Sequence, residues 1–320
     1  MKDPKVLVGI LLSLVFGYFA VRGVEWGAVL IALGRTSVLA LIVPTAWLSL
    51  FFILRAYRWQ RLVQPLEALP VRPFFYATLI GFMANDILPL RAGELVRAYA
   101  LSHLTSVRLT TALATTVLER LWDAIIIGLL FVWVLPRFPL PDWLAQTNMI
   151  ILTICLVCLV GGWWLARREE GVQLAWLPER LAALAQHFVE GLRALQNVSL
   201  VVQIALMSLI MWLSVAVYYW LLLWACGIVL PLEAGLVLML VTAFGVALPA
   251  APGFVGTFQY AIILGLSLFS IPKEEALGFS IIAHLAQLIP VIVAGLITLA
   301  RSGLPLWPAR LLPTKEDYAA

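Results

Sequence analysis

Charged side chains cluster within and between apolar segments of the first half of the chain, where a site for a charged group could form. The cluster comprises the charged residues Asp86, Arg91, Glu94, Arg97, Glu119, Arg120 and Asp123, together with the neighbouring polar residue Asn85. Glu119 and Asp123 are four residues apart, so their carboxylates share one face of a helix, with Arg120 beside them. A charge inside a membrane costs several kcal/mol, so such residues normally face a cavity or a partner.

Arginine suits phosphate because a planar guanidinium donates two parallel hydrogen bonds to phosphate oxygens. This chemistry predicts Arg91 and Arg97 as contacts for a phosphate headgroup, with the nearby carboxylates orienting them or meeting a headgroup amine. Alternatively, Arg120 is the headgroup contact and the other two arginines are structural. A third interpretation is a self-neutralising ion network that only pins one helix to another. The sequence leaves these interpretations open.

The first charges coincide with a break in the chain. The apolar approach over 74–86 is too short for a helix that crosses a membrane, which takes roughly twenty residues. Pro89 removes a backbone donor and disfavours helix at Leu88, and Gly93 lets the chain turn. Non-helical backbone at membrane depth survives only when it lines a cavity or is buried in protein. We therefore predict a re-entrant hairpin over about 73–103.

A second break has the same spacing as the first. Leu248-Pro249-Ala250-Ala251-Pro252-Gly253 repeats the L-P-x-x-x-G pattern of residues 88–93. Paired Pro/Gly-interrupted segments in two halves are the usual sequence sign of a transporter's binding site. This predicts a second re-entrant hairpin over about 236–270, entering from the opposite face, and an inverted pseudo-repeat.

Backbone N–H groups at the start of the helix after this break could favour an anion, or the break could be a packing turn. Both interpretations stay open. The residues predicted to shape the two breaks are Pro89, Gly93, Pro252, Gly253, Gly256, Thr257 and Gln259.

Composition sets the class of protein. The chain has 320 residues, of which 63% are hydrophobic and 12% are charged, and its mean hydropathy is +1.02. These values predict one all-α polytopic membrane domain over 1–320. Six segments are long enough to span the membrane, at about 5–22, 37–56, 107–135, 149–166, 199–226 and 277–300. The net charge of +4 is a modest loop bias and predicts no nucleic-acid partner.

The distribution of Lys and Arg predicts the orientation. When both hairpins return to the side they enter, most basic residues fall in loops on the side of the N-terminus. This places both termini in the cytoplasm and the protein in the cytoplasmic (inner) membrane. Arg55, Arg58 and Arg61 are then expected to mark the cytoplasmic boundary. The apolar periodicity at about 178–196 predicts an amphipathic helix on the membrane surface.

The remaining chemistry-bearing residues predict no catalytic group, metal site or cofactor. His103, His187 and His284 are scattered, and His284 is expected to form a hydrogen bond within the helix bundle. Cys155-x-x-Cys158 lies in an apolar run without a redox-enzyme context, so both cysteines are expected to pack as small apolar residues.

Three motifs in order resemble a known family. They are Asn85…Leu88-Pro89…Arg91…Gly93-Glu94…Arg97, then Glu119-Arg120-Leu121…Asp123, then Pro252-Gly253…Gly256-Thr257-Phe258. They are similar to the flippase-like transmembrane family named after the membrane region of lysylphosphatidylglycerol synthase, the multiple peptide resistance factor. The resemblance covers nearly the whole chain.

The resemblance implies a bacterial or archaeal inner-membrane protein that translocates, or helps to handle, a lipid with a polar headgroup. Family members with synthase activity carry a soluble C-terminal aminoacyltransferase domain. This chain stops at Ala320, so we expect no lysyl-lipid synthesis without a separate enzyme partner. Many members have Glu where this chain has Gln259, so coupling through a carboxylate is not expected there.

The function expected from these observations is a flippase-like transporter for a phospholipid or polyprenyl-phosphate type of lipid. One alternative is a catalytic or non-catalytic subunit of a membrane enzyme that modifies lipids or glycans. Another is a secondary transporter for a small solute or ion. A homo-oligomer and a separate lipid-modifying partner enzyme both stay open.

Overall fold

The computed structural model describes residues 4–88, 92–138, 142–167, 189–247 and 251–304, which are helical and contain no strand. The helices are α1 (Pro4–Val21), α2 (Trp26–Gly34), α3 (Ile42–Val63), α4 (Val71–Ile87), α5 (Gly93–Leu104), α6 (Leu109–Val134), α7 (Asp142–Ala166), α8 (Val198–Ala225), α9 (Leu232–Ala247), α10 (Thr257–Ser267) and α11 (Lys273–Ser302). Short 3-10 turns lie at Leu39–Leu41, Arg193–Gln196 and Pro252–Phe254.

Four stretches of the described chain are long and apolar enough to cross a membrane: Leu39–Val63, α7, α8 and α11. Helices α1 and α2 supply a fifth if they count as one span, although the chain bends by 89° between them. Helix α6 has 26 residues but carries Glu119, Arg120 and Asp123. Because a helix satisfies its own backbone hydrogen bonds, this architecture suits a polytopic membrane protein.

The first predicted hairpin consists of α4 and α5, which pack antiparallel. Gly93 lies against Asn85, and Arg97 lies against Gly81 one turn further from the break. Leu88 adopts extended backbone (φ −91°, ψ 145°), as expected before a proline. Pro89 and Arg91 lie outside the described residues.

Gly93 has a different role from the one expected. It is the first residue of α5 and is absent from the positive-φ positions, so the turn does not require its conformational freedom. A Cβ there would collide with the backbone carbonyl of Gly81 and with the side chain of Asn85. Gly93 is therefore needed for the close approach of the two helices.

The second predicted hairpin consists of α9 and α10, which also pack antiparallel. Gly245 lies against Ala261, and Gly265 lies against Leu238 and Val241. Residues 248–250 lie outside the described residues. After them, the turn Pro252–Phe254 leads into α10.

Two glycines shape the second break by their backbone conformation. Gly253 has φ +69° and Gly256 has φ +90°, a region that side-chain-bearing residues rarely adopt. The side chains that follow complete the turn: Gln259 accepts a hydrogen bond from the Gly256 N–H (2.7 Å), and the Thr257 hydroxyl donates to the Phe254 carbonyl (3.0 Å).

The two hairpins lie end to end along α11. Phe279 and Ala283, in the first half of α11, share a core with the second hairpin. Gly295, in the other half, lies against Met83 of α4. Where the hairpins meet, the turn Pro252–Phe254 packs against α4, so the two breaks touch near the middle of α11.

Helix α1 contacts the second break directly. The Ser13 hydroxyl accepts a hydrogen bond from the Ala251 N–H (2.7 Å), and Gly17 lies against Gly256. At the far end of α1, the Lys273 ammonium donates to the carbonyls of Phe19 (2.9 Å) and Arg22 (2.7 Å).

The predicted surface helix at 178–196 lies mostly outside the described residues. Its described end buries Leu192 and Leu195 against α7 and α8. Cys155 and Cys158 are both free thiols, and Cys158 is exposed on the outer face of α7 rather than packed. The packing role expected for Cys158 was therefore wrong.

Replacing Gly256 with alanine should destabilise the fold because the new Cβ would collide with the backbone of α1 and occupy a positive-φ position. We expect a loss of about 1–3 kcal/mol in the free energy of unfolding. Gly23→Ala is the matched control, because Gly23 also has positive φ (+71°) but has no neighbouring atom within 4 Å of the position that the new methyl group would take. Thermal unfolding in detergent measures both, and equal shifts would contradict the close packing of α1 on the break.

Candidate functional site

A buried network of ion pairs connects four helices. Helix α3 contributes Arg55 and Arg58, α5 contributes Glu94 and Arg97, α6 contributes Glu119, Arg120 and Asp123, and α8 contributes Ser208 and Trp212. On α3, α5 and α8 the two contributing residues are three or four positions apart, as are Glu119 and Asp123 on α6, so each pair projects from one face of its helix, with Arg120 next to Glu119. The network therefore forms where these faces meet.

Asp123 lies at the centre of the network. Its carboxylate accepts hydrogen bonds from Arg55 (3.1 Å), from Arg58 (2.6 Å) and from the Trp212 indole N–H (3.1 Å). Arg120 approaches the same carboxylate at 3.5 Å. Because both oxygens are engaged and the side chain is buried, Asp123 is positioned to hold arginines rather than to meet a ligand.

Glu119 links three helices from a position that is wholly buried. One carboxylate oxygen pairs with Arg58 of α3 at 3.2 Å, and the other pairs with Arg97 of α5. Arg58 also donates to the Ser208 hydroxyl (2.7 Å) and so extends the connection to α8. The charged residues thereby fix the first hairpin against α3 and α6.

The network has an open edge formed by Glu94 and Arg120. These two side chains form an ion pair, and Glu94 also lies 3.7 Å from Arg97. The Arg120 side chain is 41% exposed and that of Glu94 is 25% exposed, whereas the Arg97 side chain is 1% exposed. Of the three arginines considered for a phosphate contact, Arg120 is the one that the structure describes at an accessible position.

The described members of the network carry an excess of one positive charge, because four arginines face three carboxylates. Several guanidinium N–H groups, on Arg55, Arg58 and Arg97, are buried without a hydrogen-bond acceptor. Aromatic rings offset part of this deficit: Trp59 lies 3.9 Å from the Arg97 guanidinium, and Phe82 lies 5.2 Å from that of Arg55. The described part of the network thus keeps a surplus of positive charge.

The expectation that Arg55 and Arg58 only mark a membrane boundary was wrong. Both side chains are 0% exposed and pair with the acidic residues of α6, whereas Arg61 is exposed. Two signals in the sequence could have found them. The two arginines are three residues apart on a largely apolar helix, and the acidic pair on α6 required cationic partners.

The other predicted site residues lie around the first break. The Asn85 side chain accepts a hydrogen bond from the Gly93 N–H (2.9 Å) and so closes the hairpin. The Asp86 carbonyl faces Gly253 of the second break. None of the described arginines or lysines forms an ion pair with the Asp86 carboxylate.

His284 forms the expected hydrogen bond within the bundle. Its ring nitrogen Nδ1 lies 2.8 Å from the Gln259 amide nitrogen, and the ring stacks on Phe258 at 4.7 Å. The second break is therefore polar but uncharged, in contrast to the first.

A separate cavity of about 640 Å³ opens between the end of α3 and the start of α8. Its lining includes Arg61, Arg193 and the amides Gln64, Gln196 and Gln203, and it shares no residue with the ion network.

These observations define a polytopic helical membrane protein with a charged network beside a broken helical hairpin. Residues 6–295 match the family described as the lysylphosphatidylglycerol synthase TM region, and the chain belongs to this family. The membrane class and the suggested family are thereby confirmed.

Two curated relatives are archaeal. A UPF0104 membrane protein of Methanocaldococcus jannaschii is 23% identical over 218 residues, which cover 67% of this chain and 91% of the relative. A UPF0104 membrane protein of Methanothermobacter thermautotrophicus is 24% identical over 288 residues, which cover 80% of this chain and 84% of the relative.

Arg58→Met should destabilise the protein strongly, because it leaves Glu119 and Asp123 short of a buried partner. Removing one member of a buried ion pair costs about 3–5 kcal/mol. Arg61→Met, one turn away and exposed, should change the free energy of unfolding by less than about 0.5 kcal/mol. Unfolding of the two variants in the same detergent makes the comparison, and similar losses for both would rule out a stabilising network.

Proposed function

We propose that this protein is a flippase-like transporter that translocates, or helps to handle, a phosphate-containing polar-headgroup lipid across the cytoplasmic membrane. One observation carries the proposal: a buried, positively charged network opens at Arg120, next to the break of a helical hairpin. Membership of a family named for the membrane region of a lipid-modifying synthase supports a lipid-related role.

The proposed architecture has six full spans, formed by α1, α3, α6, α7, α8 and α11, and two re-entrant hairpins that enter from opposite faces. The flanks of the first hairpin meet, since the Ser106 hydroxyl donates to Glu67. At the other end of the bundle, Phe138 after α6 contacts Phe269 after α10, with ring centroids 5.2 Å apart. In this arrangement the two hairpins form an inverted pseudo-repeat, and both termini are cytoplasmic.

We assign the headgroup contact to Arg120, with Glu94 holding its guanidinium. Arg97, Glu119 and Asp123, together with Arg55 and Arg58, would form the support that keeps Arg120 in place. Arg91 is a second proposed phosphate contact, and Asn85 and Asp86 are proposed to contribute to the same site. The lipid tails would stay in the bilayer while the headgroup passes between the hairpins.

The physical reason for this assignment is the excess positive charge. A phosphate at the open edge would neutralise the surplus and accept hydrogen bonds from arginine in surroundings of low dielectric constant, where such bonds are stronger than in water. Exchange of Glu94 for phosphate as the partner of Arg120 would give the network two states.

A second candidate is a subunit of a membrane enzyme that modifies lipids. The family description favours it, because it names the membrane region of a synthase. In that case the same edge would present a lipid to a separate catalytic partner. Selective lipid binding without movement of lipid across the bilayer would distinguish this candidate from a transporter.

The re-entrant topology predicts that both flanks of each hairpin face the same side of the membrane. In a chain whose three cysteines are replaced by alanine, Arg72→Cys and Ser106→Cys should react with a membrane-impermeant maleimide from the cytoplasmic side only. Glu233→Cys and Ser267→Cys should react from the opposite side only. Labelling of the two flanks of one hairpin from different sides would replace the re-entrant hairpin by full spans.

Arg120→Ala should slow lipid translocation because the headgroup loses its accessible cationic contact. A lost hydrogen bond to a charged group is worth roughly 1.5–3 kcal/mol, which corresponds to a decrease of about 10- to 150-fold. The measurement is dithionite quenching of fluorescent phospholipids in proteoliposomes. Arg120→Lys should retain part of the rate, since it keeps the charge but loses the two-pronged geometry.

Arg137→Ala is the matched control for Arg120→Ala, because Arg137 is an exposed arginine just after the other end of α6. Native mass spectrometry should show one class of phosphate-containing lipid that is retained by the wild type and the control and lost from Arg120→Ala. Equal translocation and equal lipid retention in all three proteins would refute the headgroup site. Glu119→Ala is a poorer test, since Glu119 is wholly buried and its loss would disturb the fold.

A further inference from the structure

The amide of Gln259 is held between two partners at the second break. Its carbonyl oxygen Oε1 accepts the Gly256 N–H at 2.7 Å, and its nitrogen Nε2 lies 2.8 Å from Nδ1 of His284. Gly256 is the residue that precedes α10, so the first of these bonds caps the helix. The second connects this cap to α11.

This geometry fixes the protonation state of His284. Because Oε1 faces an N–H donor, Nε2 must face the histidine, and an amide nitrogen can only donate. Nδ1 of His284 is therefore the acceptor, and the ring is neutral with its proton on the other nitrogen. His284 is 8% exposed and stacks on Phe258, so the ring has little freedom to turn away.

We propose that His284 is a proton-binding site and that a proton on Nδ1 releases the second break. A proton taken from water would convert Nδ1 into a donor that faces the donor Nε2 of Gln259. If the amide rotates to accept from the histidine, it turns its nitrogen toward the Gly256 N–H and loses the cap of α10. With His284 protonated, Gln259 can keep its hydrogen bond to Gly256 or its hydrogen bond to His284, but not both. Release of the proton to water restores both hydrogen bonds.

The helices that pack against His284 and its helix α11 carry few charged residues. Helix α10 and the turn Pro252–Phe254 contain none, and α4 contributes Asp86 beside Gly253 and Arg72 at its far end. Helices α2 and α8 contain none, and α3 contributes Arg55, Arg58 and Arg61. The charges of α11 itself lie at its ends, at Lys273, Glu274, Glu275 and Arg301.

The contacts of the second break explain how protonation of His284 would affect the first hairpin and α1. Gly253 faces the Asp86 carbonyl at the tip of the first hairpin, and Ala251 is bonded to Ser13 of α1. Loss of the Gln259 cap therefore loosens a segment that touches both hairpins. If the protein transports lipid as proposed above, His284 would couple proton binding to that movement.

The first experiment follows the break directly, in the full-length protein. A nitroxide is attached at Val255→Cys, an exposed position in the break, in a chain whose native cysteines are replaced by alanine. Its mobility is recorded by electron paramagnetic resonance from pH 8 to pH 5. We expect an immobile label at high pH and a mobile one at low pH, in a single transition.

Three variants test the assignment to His284. His284→Gln can still accept from Gln259 but cannot take up a proton, so it should abolish the transition and stay immobile. Gln259→Glu can cap Gly256 and accept from a protonated ring, so it should move the proton-binding transition to higher pH by about one unit or more while keeping the label immobile. His103→Gln, at an exposed histidine of α5, should leave the transition unchanged.

Proton binding itself is read from the ¹⁵N resonances of His284, which should show an unprotonated Nδ1 at pH 8. A label that is equally mobile at all pH values in the wild type, or a transition that survives in His284→Gln, would overturn the proposal. Lipid translocation is measured separately on the same proteins. A protein that shows the transition but moves no lipid would refute the transporter function while leaving the proton site intact.

Discussion

The pairing of Glu119 and Asp123 with Arg58 is the interaction on which the rest of the structure depends. Each of these charges costs several kcal/mol to remove from water, and only close partners offset that cost. The buried carboxylates of α6 therefore require cationic partners, which are Arg58 of α3 for both Glu119 and Asp123 and Arg97 of α5 for Glu119. Because charges satisfied in this way tolerate little displacement, the network sets the position of the first hairpin.

Close helix packing is the second constraint, and it shapes both hairpins by the same means. Gly81 and Gly93 let α4 and α5 approach until backbone meets backbone. Between α9 and α10, Gly245 makes room for Ala261 and the Thr257 carbonyl, and Gly265 makes room for the side chains of Leu238 and Val241. In an apolar bundle such small residues allow extensive van der Waals contact where no hydrophobic force distinguishes helix from lipid. Charge fixes the first hairpin, whereas contact with α1 through Gly256 fixes the second.

Local features of the sequence predicted where helices are interrupted, because a helix break is a local event. Proline and glycine interrupt helices through their own backbone geometry, so the helix pairs α4–α5 and α9–α10 lie within a few residues of the predicted segments. Partner choice is a tertiary property, which is why Arg55 and Arg58 were misread as boundary residues. The role of Gly93 was missed for the same reason, since the need for space at one residue depends on what packs against it.

The two breaks differ in a way that suits different tasks. The first lies beside a network whose excess positive charge persists at any pH near neutral, because arginine stays protonated. A change of pH near neutrality would therefore not remove the positive charge of this network. The second has an uncharged glutamine and a histidine, the side chain whose charge changes near neutral pH. Gly253 faces the Asp86 carbonyl where the breaks touch, so the proposed protonation of His284 would alter the shape of the charged break without discharging its arginines. Binding and switching would then reside in separate hairpins that meet where the two breaks touch.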